Sequence, residues 1–215
     1  MNTVIDAFKS LPTVHEPDER WAHFSRWDET VGDFTPVTLA RRHADLDTLV
    51  LAEAVPEAIR EHFNTGKNLL LYAWFVYRFI PVAELHAYST VEMALRERAS
   101  REGRAARLDR KGRELPWKFS ELLQMAVKER WIVDAGFEVV RLRREANAAQ
   151  AERLGVEPPA DADTRSVNRY CETLVESMPW LRNHLAHGST SVHPGGMSTL
   201  RVCADLINQV FRRPT

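Results

Sequence analysis

Over long stretches of this chain apolar residues recur at the spacing of a helix, and no stretch alternates apolar with polar residues for long enough to build a strand. The last such stretch, Met197 to Phe211, places Leu200, Val202, Cys203, Leu206, Ile207, Val210 and Phe211 on one stripe. An earlier one runs from Lys67 to about Ser100, where Val82, Leu85, Tyr88, Val91, Ala94 and Leu95 lie near the helical period. Pro81 falls in its middle and is expected to kink or split it, because proline has no N–H to donate and its ring crowds the preceding turn. A weaker helix is expected from Pro56 to Phe63, with proline in its first turn and a C-cap at Asn64-Thr65-Gly66. Further helices are expected over about Lys118 to Trp131, closed by Asp134-Ala135-Gly136, and over Phe137 to Gln150. Another is expected over about Thr164 to Ser177 and, beyond an interruption at Pro179, a short one over Trp180 to His187. Gly155 and Pro158-Pro159 mark a loop over 154–162, and Ser189 to Gly196 marks a second. The expected fold class is all-α, with extra helical segments at the N-terminus and in mid-chain.

The chain's 215 residues suit one domain with an appended segment. Scattered aromatics, Phe8, Trp21, Phe24, Trp27 and Phe34, lie among acids and prolines. They suggest an arm over 1–35 that docks on a helical body over 36–215. With 44% hydrophobic and 27% charged residues, a true core is expected rather than disorder. The formal net charge of -1 excludes a protein that binds nucleic acid over its whole surface, so any RNA contact must be a local patch. A charged run over 96–114, broken by Gly103 and Gly112, reads as a solvated helix end and loop. It also holds the best local candidates for phosphate contacts, Arg104 and Arg107. Cys171 and Cys203 are too few and too far apart for a disulfide framework or a zinc pair, and read as small buried residues. The segment Met1 to Asp6 lacks the basic and then apolar regions of a signal peptide. The most apolar stretch, Leu69 to Ala83, contains Arg78 and falls short of the ~18 residues of a span, so no membrane segment and a cytoplasmic location are expected.

One segment carries a specific chemical signal: Met178-Pro179-Trp180-Leu181-Arg182-Asn183-His184-Leu185-Ala186-His187-Gly188. On a helix, Asn183 and His187 share a face. Arg182 lies about 140° around from His187, so one helix cannot aim both side chains at one point unless it ends between them. An imidazole with an ordinary pKa of ~6.5 can take a proton near neutral pH, and a guanidinium is a planar, permanently charged clamp for phosphate oxygens.

Arg182 and His187, four residues intervening, resemble the R-x(4–6)-H motif of the HEPN superfamily. The stretch Tyr88-Ser89-Thr90-Val91-Glu92-Met93-Ala94-Leu95-Arg96 resembles a bundle helix of bacterial members more loosely. Together these cover roughly 67–212; the N-terminal segment and 101–116 have no counterpart. The resemblance implies a bundle of about four main helices, with the motif near the start of the last one. It further implies a homodimer in which two motif copies converge on one cleft, and RNA cleavage without metal or cofactor. His187 would take the proton of a 2'-hydroxyl, Arg182 would hold the phosphate as charge builds, and Asn183 would orient the phosphate or the histidine. His184, Arg104 and Arg107 would bind substrate. The products would be a 2',3'-cyclic phosphate and a 5'-hydroxyl. A bacterial defence or toxin–antitoxin setting, with a cognate antitoxin or regulatory protein as partner, is also implied.

Other readings of the same residues stay open. Arg182 can pair with Glu172 or Glu176, while His187 caps the helix end, where a cation meets the C-terminal dipole. A HEPN-like helical module without catalysis would serve nucleotide or RNA binding, or protein–protein interaction. His184, His187 and His193 invite a zinc reading, but no cysteine or acid completes a ligand set in the same loop. Gly195-Gly196 reads as a loop hinge rather than a phosphate cradle, and Ser189, Thr190 and Ser191 lack the context of a nucleophile elbow. Trp74, Trp117, Trp131 and Trp180 read as packing anchors rather than base-stacking platforms.

Overall fold

Residues 6–156, 168–188 and 192–212 are described by the structure, a computed structural model. The segments read above as the chain start (1–5), the Pro158-Pro159 loop, the helix start at Thr164 and the Ser189-Thr190-Ser191 run lie outside the described residues. Among those described, the chain is mostly helical, with seven α-helices and two small antiparallel hairpins.

Two 3-10 turns, Leu11–Thr13 and Glu19–His23, precede strands β1 (Ser25–Asp28) and β2 (Asp33–Pro36). These strands are a departure from the strandless reading. Each has four residues, too few for an alternation to register. Their pairing sets Trp27 opposite Phe34, with ring centroids 5.5 Å apart, a cross-strand aromatic contact that stabilises a short ladder. Arg41 ties the hairpin to the next helix through Asp28 at 3.0 Å. Of the N-terminal aromatics, Trp21 is fully inserted in the core. Its indole N–H donates to the Ala73 carbonyl at 3.0 Å, its ring stacks on Trp74, and the Arg42 guanidinium sits 4.0 Å over it. Phe24 packs partly against the same cluster, while Phe8, Trp27 and Phe34 are exposed.

Helix α1 (Leu39–Asp47) begins at Thr38, whose hydroxyl accepts from the Arg41 amide. Helix α2 (Glu57–Tyr72) does not stop at Asn64-Thr65-Gly66 as expected. Gly66 lies inside it and faces α3 (Phe79–Arg101), where an added Cβ would meet the His86 ring at 3.4 Å. The glycine serves close helix packing rather than a cap. The break expected at Pro81 lies instead at 73–78, between α2 and α3. Pro81 is the third residue of α3, within the first turn, where its N–H would have had no helical acceptor. The buried stripe of α3 is Ile80, Ala83, Ala87, Tyr88, Val91, Ala94 and Leu95, whereas Val82 is exposed and Leu85 only half-buried. Tyr88, Val91, Ala94 and Leu95 are thus buried as expected, and the stripe departs from the expected one at Val82 and Leu85.

Strands β3 (Arg107–Leu108) and β4 (Glu114–Leu115) form a hairpin inside the charged run and lead to α4 (Phe119–Lys128). Helix α4 ends in a Schellman turn: the Trp131 amide donates to the Ala126 carbonyl at 2.8 Å and the Arg130 amide to Val127 at 3.1 Å. Asp134–Gly136, expected to close α4, is a separate 3-10 turn with another task. The two oxygens of the buried Asp134 carboxylate accept from the Tyr170 and Cys171 amides, each at 2.9 Å, at the start of α6 (Arg169–Ala186). Before it comes α5 (Glu138–Leu154), closed by Gly155 at φ 64. Pro179 does not interrupt α6, which runs unbroken through it. Packing of α6 on α3 and α4 outweighs a proline penalty of roughly 3 kcal/mol.

Helix α7 (Gly196–Val210) packs its whole stripe, Leu200, Cys203, Leu206, Ile207 and Val210, into the chain's own core. The centre of the fold is α3, which packs on α2, α4, α6 and α7. Among the described residues, no helix is long and apolar enough to cross a membrane.

Candidate functional site

The last helical residue of α6 is Ala186, and His187 is its C-cap, donating its amide to the Asn183 carbonyl at 3.0 Å. Gly188 then turns the chain at φ 86. The His187 amide bond to Asn183 is the i to i−4 bond of a helix, so His187 keeps its helical place about 140° around α6 from Arg182, and one chain does not aim both side chains at one point. Asn183 and His187 are exposed. The Arg182 side chain is 35% exposed and donates to Glu92 of α3 at 3.2 Å and to the Asn183 side-chain oxygen at 3.2 Å. Its carboxylate partner is Glu92, not Glu172 or Glu176.

Glu92 also accepts from Arg96 at 2.6 Å, so two guanidinium groups share one carboxylate. Arg182, Asn183, Glu92 and Arg96 line an open groove of about 400 Å³, with Trp117 and Lys118 on its far wall. The Trp117 indole is held by donation to the Arg104 carbonyl at 2.8 Å. In a chain of net charge -1, this groove carries a local positive surplus.

The structure does not bring the other expected substrate contacts into that groove. Arg104 pairs with Glu129 at 2.8 Å and Arg107 with Glu121 at 3.3 Å. Both guanidinium groups are occupied by carboxylates at the two ends of α4, and the Glu129 carboxylate raises the pKa of Arg104. Five further arginines of the region behave alike: Arg98 pairs with Glu102, Arg101 with Glu97 and Arg113 with Asp109, each one helical turn or one hairpin away, while Arg96 and Arg182 converge on Glu92.

His184 points away from the groove. Its imidazole stacks on the exposed Trp180, with centroids 5.1 Å apart and planes at 7°, and lines a second cavity of about 260 Å³. Glu84 of α3, Tyr88, His193 and Thr199 also line it. Glu84 is only 4% exposed. The Thr199 hydroxyl donates to it at 2.7 Å, and the His193 Nε2 stands 3.9 Å from its other oxygen. Burial pushes the Glu84 carboxyl above its ordinary range, against the pull of Thr199 and His193, and burial pushes the Tyr88 phenol up likewise. His193 Nδ1 accepts from the Gly195 amide at 3.0 Å, which leaves the ring proton on Nε2, the nitrogen facing Glu84. A Cβ on Gly195 would lie 2.6 Å from that Nδ1, so only glycine lets the ring sit there. Gly195-Gly196 is accordingly no hinge but the cap and first residue of α7.

Sequence reasoning placed Arg96 in the run of phosphate candidates, but missed Glu92, Trp117 and Lys118 as site residues, and Glu84, Tyr88 and Thr199 of the second cavity. For Glu84 a signal exists: its spacing from Ile80, Ala87, Tyr88 and Val91 puts an acid on the buried face of a helix. For Trp117 and Lys118 there is none, since only the fold carries them to Arg182. Among the described residues, no three His, Cys, Asp or Glu side chains are grouped to hold a metal ion. No family model matches the chain, and neither a curated protein nor a solved structure shows significant similarity to it.

Proposed function

We propose that this chain is a metal-independent endoribonuclease of the HEPN type. The observation that carries the reading is a groove with a local positive surplus, lined by Arg182 and Asn183, with His187 exposed at the end of the same helix. His187 stands about 140° around the helix from Arg182, so the histidine that acts at one Arg182 is supplied by a second copy of the chain. RNA lies with its scissile phosphate at Arg182 and Asn183. Neutral His187 takes the 2'-hydroxyl proton, the 2'-oxygen attacks phosphorus, and the P–O5' bond breaks. The 5'-oxygen leaves with a proton drawn from solvent, giving a 2',3'-cyclic phosphate and a 5'-hydroxyl. Arg182 stabilises the charge on the non-bridging oxygens, and the Trp117 ring offers a face to a neighbouring base. A second copy of the chain completes the cleft with its own motif. The implied setting is bacterial defence or a toxin–antitoxin pair.

One observation favours a second reading, a catalytically inactive helical module for nucleotide, RNA or protein binding: Arg182 already has an anionic partner, Glu92, within its own chain. Cleavage assays separate the two. His187→Ala and Arg182→Ala each abolish cleavage under the first reading, a loss of at least ~10²-fold, and leave far-UV circular dichroism unchanged. A 2'-deoxy substitution at the cut site blocks the reaction, and EDTA does not. A wild type that cuts no RNA, or cleavage that survives His187→Ala in a nuclease-free preparation, overturns the ribonuclease reading.

A further inference from the structure

The cavity on the other side of α6 holds a buried carboxylate that the proposed cleavage does not use. Among the described residues, no lysine or arginine pairs with Glu84; a threonine hydroxyl and a histidine 3.9 Å away are the groups that face it. An ionised carboxylate accepts about four hydrogen bonds, so the Thr199 bond leaves most of its capacity unfilled. A buried carboxylate in that condition is costly unless a ligand brings donors to it. Beside the Tyr88 phenol the remaining walls are apolar, from Pro81, Leu181, Leu185 and Val192, with the flat His184 ring backed by Trp180. At about 260 Å³ the cavity lies just below the ~300 Å³ at which drug-sized pockets begin, a size for one planar ring system.

We propose that this cavity binds a guanine base, whose N1–H and exocyclic amino group donate side by side to the Glu84 carboxylate while its ring lies against His184 and the apolar walls. Guanine is the standard base that presents two adjacent donors on one edge. Adenine and cytosine set an amino group beside a ring acceptor, and uracil sets one N–H between two carbonyls. A carboxylate with acceptor capacity to spare on both oxygens therefore selects guanine by pairing and rejects the others by leaving acceptors facing acceptors. The guanine belongs either to RNA or to a free nucleotide, which share this edge. For RNA the inference rests on the ribonuclease reading: His184 lies one helical turn before His187, so a base held in the cavity leaves its backbone beside the catalytic end of α6.

Calorimetry and fluorescence anisotropy on the full chain test it. Free guanosine monophosphate is titrated against adenosine monophosphate into wild type. A labelled adenine-rich hexanucleotide RNA carrying one guanine is titrated into the non-cleaving His187→Ala chain, beside versions with adenine or inosine in the guanine's place. Guanine is expected to bind at least ~10-fold more tightly than adenine or inosine in the arm that reports its source. Glu84→Gln, close in shape, should erase that preference, and His184→Ala on the surface should weaken it. Should Glu84→Gln fail to fold, the inosine comparison on the unaltered cavity still decides. Guanosine monophosphate bound through Glu84, with no gain from guanine in RNA, keeps the guanine site and counts against the ribonuclease reading. RNA bound equally with guanine, adenine or inosine, and unaffected by Glu84→Gln, overturns the guanine site while leaving that reading intact. Failure of both ligands to bind overturns it as well.

Discussion

At Arg182 the guanidinium is drawn two ways, toward Glu92 inside the chain and toward the open groove. With a side chain 35% exposed, its ion pair is worth little, on the order of 0–1 kcal/mol, so a phosphate can compete for it. Arg182→Ala should therefore lower the urea midpoint only slightly, while on the ribonuclease reading it abolishes cleavage. Asn183→Ala should reduce cleavage less than His187→Ala, because Asn183 is exposed and orients rather than transfers a proton; kcat of the two variants on one RNA checks the order. A second residue carries a stability forecast. Arg130 is the non-glycine residue at positive φ among those described, at φ 58, in the C' position where glycine is normally favoured. Arg130→Gly should raise stability by about 0.5–1 kcal/mol, the relieved strain being partly offset by a more flexible unfolded chain. An unchanged or lower urea midpoint would contradict that.

Between elements, the α2–α3 seam is held by a stacked imidazole pair, His62 on His86, with centroids 3.9 Å apart and planes at 11°. The Thr90 hydroxyl donates to the His86 carbonyl, so its oxygen accepts from His62 Nδ1 at 2.7 Å; His86 Nε2 donates to the His62 carbonyl at 2.8 Å. Burial, and then the neighbouring His86 ring, hold the His62 pKa below its ordinary value. A histidine depressed in the folded state binds fewer protons than the unfolded chain. Its contribution is intact above the unfolded pKa of ~6.5 and is lost as pH falls from there toward the lowered folded value. The melting temperature should drop between pH 7.5 and 5.5, and His62→Gln should shrink that drop. The seam of α7 with α2 and α3 is tighter. A Cβ on Gly196 would lie 2.7 Å from Leu70 and 3.0 Å from Ile80, so Gly196→Ala should cost about 1–3 kcal/mol by overpacking, read from the same denaturation curves.

For the molecule as a whole, the use of α7 decides where a second copy can sit. Its apolar stripe is consumed by the core and is not available to a partner. The homodimer that the ribonuclease reading requires would instead use the exposed end of α6, near Trp180 and the motif. Sedimentation at tens of micromolar should show a dimer burying over ~1,200 Å² in total, and Trp180→Glu should shift it toward monomer. A wild-type monomer at that concentration removes the composite cleft.

The helices were legible where a stripe stays in phase along one element, because burial of that stripe is what stabilises a helix: α4 and α7 appear close to their expected bounds. Arg182, Asn183 and His187 stand out in the sequence as a motif, but the resemblance set it near the start of the last helix, whereas it lies at the end of α6. Prolines and glycines were read less well. Pro81 and Pro179 sit inside helices and Gly66 inside α2, since position within a turn and contact with a neighbouring helix, not residue type, determine their effect. The β1–β2 hairpin was too short to leave a pattern. Only the tertiary structure decided the partners. Glu92 meets Arg182 across 90 residues, Glu84 meets Thr199 across 115, and Trp117 and Lys118 reach the groove through the turn into α4. A chain sequence records which side chains lie on one face of one helix, but which faces meet is set by packing several helices around α3 at once.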